Sequence, residues 1–275
     1  MIITEHFILL NFPKTGSTFA REVITDLYLN EYKNLSNFQK IKFVFNFKKK
    51  PLFNEVFLPR TEFIKGYNSG VDQHGRYEHV PEKYKSKPVL SVARDPLIRN
   101  ISFYEYGWWK KNTVAPLNIV KKYFPSFPDL EFNEYLDYQN FNTQFRDTGV
   151  VIGDNVGNQT IHFIQFFFKK TKYIFENLND EFIYSGKYRN YLPELTLLKS
   201  ENLNKELLEF LSVYWPDKDK LSFINSRDIV RPENTSRKSE IERMKYLTSD
   251  IINAVRYKER YLYKILSDFG IEYGE

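Results

Sequence analysis

The chain has 275 residues, 42% hydrophobic and 27% charged, which gives it enough apolar surface for a full core and rules out disorder as the default. Forty Lys and Arg against 35 Asp and Glu leave a formal net charge of +5, a mild surplus that suits an anion held at one place better than a surface coating nucleic acid. Cysteine is absent, so a disulfide framework, a thiolate zinc site and a cysteine nucleophile are all excluded.

The opening residues show no cationic leader, and the first apolar run stops at Pro13, so no secretory signal is expected. The longest apolar stretch, around 161–168, is interrupted by His162 and Gln165 and is far shorter than the roughly 20 residues of a membrane span. A soluble, cytoplasmic protein without a membrane span is the expectation. Aromatic content is high at 17%, for which genome composition is a simpler source than a stacking function.

Residues 7–12, Phe-Ile-Leu-Leu-Asn-Phe, form a nearly continuous apolar run that reads as a buried strand of a parallel sheet. A loop carrying Gly16 follows. Apolar residues then recur at Phe19, Val23 and Leu27, with Ser17 or Thr18 available as the N-cap, which predicts a helix. Residues 41–47 and 62–67 are further candidate strands, and 68–87 reads as a polar loop. Residues 88–93 predict a second buried strand. It ends at Arg94-Asp95-Pro96, where Pro96 is placed to start a helix running to about Trp109. The middle region carries helical patches at 131–138, 159–170 and 202–214. A polar loop over 225–238 precedes one long final helix, with Ile251, Val255, Leu262, Ile265 and Phe269 on one face and Gly270 at its end. The pattern predicts an α/β fold in one domain, residues 1–275, with a central parallel sheet flanked by helices.

The segment Pro13-Lys14-Thr15-Gly16-Ser17-Thr18-Phe19 sits between strand and helix. Amides at a helix start are unpaired and carry the positive end of its dipole. Gly16 permits close backbone approach, Ser17 and Thr18 add hydroxyls, and Lys14 adds a cation, which together make an anion cradle. The Walker pattern is not met, because the lysine precedes the only glycine. The segment resembles the 5′-phosphosulfate loop of the sulfotransferases that use 3′-phosphoadenosine 5′-phosphosulfate (PAPS), approximately P-K-[ST]-G-[ST]-[ST]-[WF]. A second segment, Arg94-Asp95-Pro96-Leu97-Ile98-Arg99-Asn100-Ile101-Ser102-Phe103-Tyr104, resembles the 3′-phosphate motif of that family, R-D-P-x-x-R-x-x-S-x-Y. Arg94, at a strand end, can offer a bidentate fork to a phosphate. Arg99 is placed to pair with Asp95. A third element, Arg231-Pro232-Glu233-Asn234-Thr235-Ser236-Arg237-Lys238, resembles the cofactor-covering loop.

The resemblance implies a P-loop-like sulfotransferase architecture, with PAPS as co-substrate and the adenosine bisphosphate PAP as product. Cofactor contacts are expected from Lys14, Thr15, Gly16, Ser17, Thr18, Phe19, Arg94, Ser102, Ser236, Arg237 and Lys238. It implies metal-independent, in-line transfer of a sulfuryl group to a hydroxyl, amine or amide nitrogen of a small-molecule or sugar acceptor. Lys14 is then the group that meets the leaving oxygen. The family commonly carries its catalytic histidine directly after the strand preceding Arg94, and this chain has Lys65-Gly66-Tyr67-Asn68 there. Among the four histidines, His74 is the candidate base, with His79 and Asp72 as alternatives. His6 begins the first strand at its far end, and His162 lies among phenylalanines, so both read as structural. The competing functions are a P-loop nucleotide kinase or NTPase, and a non-catalytic nucleotide-binding module.

Overall fold

Thr4 reverses the chain within three residues. Its Oγ accepts from the amides of His6 (3.1 Å) and Phe7 (2.8 Å) and donates to the Phe7 carbonyl (2.7 Å). The strands on either side, β1 (Ile2–Thr4) and β2 (Ile8–Leu9), therefore pair antiparallel, since so short a link permits nothing else. This computed structural model describes residues 1–33, 36–37, 53–55, 58–59, 71–72, 74–227 and 240–273. The candidate strands at 41–47 and 62–67 lie outside them.

The fold is α/β. A five-stranded sheet has the order β3-β1-β2-β6-β7, with β3 at Phe53–Glu55, β6 at Val89–Ala93 and β7 at Leu195–Lys199. Two further short strands, β4 (Leu58–Pro59) and β5 (Val71–Asp72), lie outside that sheet. Strands β2 and β6 are parallel neighbours, as expected, and β7 runs parallel to β6. The sheet is nonetheless mixed, because β1 runs against both β2 and β3. The Thr4 turn is the reason. Neither β1 nor β7 is evident from the sequence pattern.

The chain groups into two compact units. The first holds residues 1–58, 71–94 and 193–230, and the second holds 59–70, 95–192 and 231–275. In the first, helix α1 (Ser17–Lys33) lays Phe19, Ala20, Val23, Ile24 and Leu27 on Phe7 and Leu9 of the β2 segment and on Leu90 and Val92 of β6. The Leu203–Ser212 helix adds Leu203, Leu207 and Leu211, spaced four apart so that they share one face. At about 25 cal/mol per Å² of apolar surface, such fully buried side chains supply the driving force for this unit.

The second unit is helical and built on aromatic rings. Trp109 lies 5.1 Å from Tyr135 and 5.8 Å from Phe127, and Tyr104 lies 5.3 Å from Phe132. These rings belong to one buried cluster, so much of the aromatic excess is core. Asp95 caps the Pro96–Tyr106 helix by accepting from the Leu97 amide at 2.7 Å, and Pro96 takes the first position as predicted. The helix stops at Gly107, with φ 66°, short of Trp109.

The single final helix expected from the pattern is two helices, Ser249–Lys258 and Arg260–Asp268. Glu259 breaks it. Its buried carboxylate accepts from the amides of Gln159 (2.9 Å) and Thr160 (2.7 Å) and from the Thr160 hydroxyl (2.7 Å), capping the Asn158–Phe167 helix. A Cβ at Gly157 would collide with that carboxylate, so the residue must be glycine. No helix among the described residues is long and apolar enough to cross a membrane.

Burial holds the Glu259 carboxyl above its ordinary range, opposed by the Gln159 and Thr160 donors and by the charge of Arg99. The folded chain therefore retains a proton there more readily than the unfolded chain. That contribution is complete at low pH and is lost as pH rises through the raised value. Glu259→Gln cannot ionise. Denaturant melts from acid to neutral pH are expected to show the stability of wild type relative to this variant falling as pH rises, whereas a constant difference contradicts the assignment.

Candidate functional site

Strands β2 and β6 run side by side in the same direction, Ile8 opposite Val89 and Leu9 opposite Leu90. Leu10 extends the ladder, its amide donating to Leu90 (2.9 Å) and its carbonyl accepting from Ser91 Oγ (2.7 Å). Both chains leave the sheet at one carboxyl edge, where open α/β sheets bind ligands. The loop after β2 and Arg94 after β6 thus meet: the Arg94 guanidinium donates to the Lys14 carbonyl at 3.4 Å. Lys199, in register with Ala93, ends β7 at the same edge.

The loop turns tightly, with Lys14 at φ 63° and Gly16 at φ 96°. A non-glycine residue there costs roughly 1–2 kcal/mol, which the surrounding contacts must offset. The Thr15 hydroxyl (2.9 Å) and the Ser17 hydroxyl (2.7 Å) both donate to the Phe12 carbonyl, so these side chains set the shape of the loop. Phe19 is buried in the core, and its amide donates to Gly16 (3.0 Å), so it anchors the loop from below. The N–H groups of Thr15, Gly16, Ser17 and Thr18 meet no acceptor among the described residues. Thr15 and Ser17 are buried, while Lys14, Gly16, Thr18 and Arg94 stay partly exposed around them.

His74 lies against this loop, its Nδ1 2.5 Å from the Asn11 carbonyl. A carbonyl only accepts, so Nδ1 carries the proton, and in the neutral ring Nε2 holds the lone pair. His79 has the opposite tautomer. Its Nδ1 accepts from the Arg76 amide (3.2 Å), and its protonated Nε2 faces Glu78 (3.7 Å). Of the two loop histidines, His74 alone pairs this tautomer with a place beside the loop. His6 stacks on Tyr214 at 5.0 Å, away from the loop.

In the second unit, Ser102 lies half-buried on the Pro96–Tyr106 helix. The Asp95 carboxylate receives the Leu97 amide and the Tyr263 hydroxyl (3.1 Å), while Arg99, 1% exposed, donates to Gln159 (3.0 Å) and lies 3.2 Å from His162 Nδ1. Arg99 is thus an interior strut, and His162 is the core residue its surroundings suggested. Ser236, Arg237 and Lys238 lie outside the described residues. Sequence reasoning overlooked Asn11, whose one signal is a polar residue closing an apolar strand. No family model, no curated protein and no solved structure matches the chain.

A Cβ on Gly16 would lie 3.3 Å from Leu203 Cδ2 in a backbone conformation that side chains resist. Gly16→Ala is expected to destabilise the protein by about 1–2 kcal/mol. Adding Leu203→Ala should leave most of that penalty in place, since φ and not crowding dominates. Full recovery of Gly16→Ala relative to Leu203→Ala alone, measured in denaturant melts, would contradict this.

Proposed function

We propose that the chain is a PAPS-dependent sulfotransferase of P-loop-like architecture, moving a sulfuryl group to a hydroxyl or nitrogen of a small-molecule or carbohydrate acceptor. The observation that carries this reading is the run of four unpartnered loop amides, with Lys14 and Arg94 drawn to the same edge. Lys14 belongs to one of the two motifs that resemble the family, and Arg94 opens the other.

In this mechanism the loop amides hold the 5′-phosphosulfate and Arg94 holds the 3′-phosphate. As the bond between sulfur and the bridging oxygen breaks, its electron pair goes to the leaving phosphate, where the Lys14 ammonium offsets the growing charge. The acceptor oxygen forms the new bond to sulfur and releases its proton to Nε2 of His74, whose ring the Asn11 carbonyl orients. A sulfuryl group carries less charge than a phosphoryl group, so these donors suffice without magnesium. Catalysis is then mostly positioning and electrostatics.

Incubation with PAPS and a panel of hydroxylated acceptors tests the reading, with product mass as the readout. Turnover is expected to survive EDTA, and Lys14→Ala should lower kcat about 10²-fold or more. A strict magnesium requirement would favour the kinase alternative.

His74→Ala should depress kcat by roughly 10²–10⁴-fold with PAP binding intact, while His79→Ala stays mild. In wild type, kcat/KM should rise with pH across the range in which an imidazole loses its proton. Near-normal turnover in His74→Ala removes it from the site.

PAP should bind more tightly than adenosine monophosphate, and Arg94→Ala should erase that preference, at a cost of roughly 1.5–3 kcal/mol. Equal affinity of wild type for both nucleotides, by calorimetry, would exclude Arg94 from this role.

A further inference from the structure

Asn11 is fully buried, and neither atom of its side-chain amide has a hydrogen-bond partner among the described residues. A buried amide in that state is costly, and such groups in folded proteins call for an explanation. Its place in the fold suggests one. Phe7 and Leu9 pack into the cluster that contains α1, and strand alternation carries Asn11 onto that same face, one step nearer the loop from which α1 starts. The four unpartnered amides belong to that loop. The backbone carbonyl of Asn11 holds His74.

We propose that the Asn11 side chain is a further binding group for the anion seated in the loop, donating through Nδ2 to one of its oxygens. This rests on the sulfotransferase reading for the identity of the anion, the phosphosulfate end of PAPS. The Thr15 and Ser17 hydroxyls are turned inward onto Phe12, and an anion that draws them outward opens the way to the amide beneath. Asn11 thereby joins the anion cradle to the base, through its side chain on one side and its carbonyl on the other.

The test compares wild type, Asn11→Leu and Asn11→Asp, both of which keep the branched four-atom skeleton of asparagine, leucine with the larger volume. Leucine removes the unsatisfied amide, so the ligand-free variant should melt at the same temperature as wild type or higher. Its affinity for PAP should nevertheless fall about 10-fold or more, the scale of one hydrogen bond to a charged group. The KM for PAPS should rise with that loss while the acceptor KM holds. Asn11→Asp sets a carboxylate against the anion and should lose more; it also serves if leucine is not accommodated. PAP binding by Asn11→Leu at wild-type affinity would overturn the proposal and leave the sulfotransferase reading standing. If wild type binds inorganic sulfate but not PAP, that reading falls, and loss of sulfate binding in Asn11→Leu still supports the amide as an anion ligand. Binding of neither probe by wild type overturns both.

Discussion

The candidate site depends on the register of β2 against β6, clasped around Leu10. The Leu10 amide and carbonyl are both spent on β6, one on Leu90 and the other on Ser91 Oγ. Ile8 and Leu10 are buried as fully as Phe7 and Leu9, so both faces of β2 are covered and the bonds of Leu10, more than the side-chain pattern, hold the pairing in place. Register is therefore strongly set. Because the two strands run in the same direction, it also delivers the Lys14 loop and Arg94 to one edge. The reversed strand β1 lies on the other side of β2 and leaves that edge undisturbed.

The loop itself divides its polar groups between two tasks. Hydroxyls of Thr15 and Ser17 satisfy the buried Phe12 carbonyl and hold the turn, while the amides of residues 15–18 meet no acceptor among the described residues. Phe19 below and Leu203 beside Gly16 keep that shape against the strain at Lys14. The shape of the ligand-free loop is thus set by the core of its own unit.

In the second unit the same economy governs Arg99, Glu259 and their partners. Gln159 and Thr160 offer amides at a helix start, Glu259 accepts them, and the Arg99 charge partly offsets the cost of burying that carboxylate. A buried ionic network of this kind is weak evidence for stability and better evidence for specificity, since removing one member strands the others. Its visible consequence is the break at Glu259 in what would otherwise be one helix.

Local chemistry was legible in the sequence. The strand at 7–12, the helix from Ser17, the strand ending at Ala93 and the Asp95-Pro96 helix start follow from apolar runs, a glycine and a proline, all of which act over a few residues. The Lys14 loop and Arg94 stood out as candidate site residues for the same reason. Strands β1 and β7 were not, because the Thr4 turn is made by a hydroxyl without glycine or proline, and β7 carries only the short run Leu195-Thr196-Leu197-Leu198 before polar residues. The sequence also left open which histidine stands beside the loop, where Thr15 and Ser17 aim, and what Arg99 touches. Those outcomes depend on partners far away in the chain: the Asn11 carbonyl for His74, and Gln159 and His162 for Arg99. Only the tertiary structure decides them, because a hydrogen bond is chosen by what burial brings within reach, and periodicity along the chain carries no record of that.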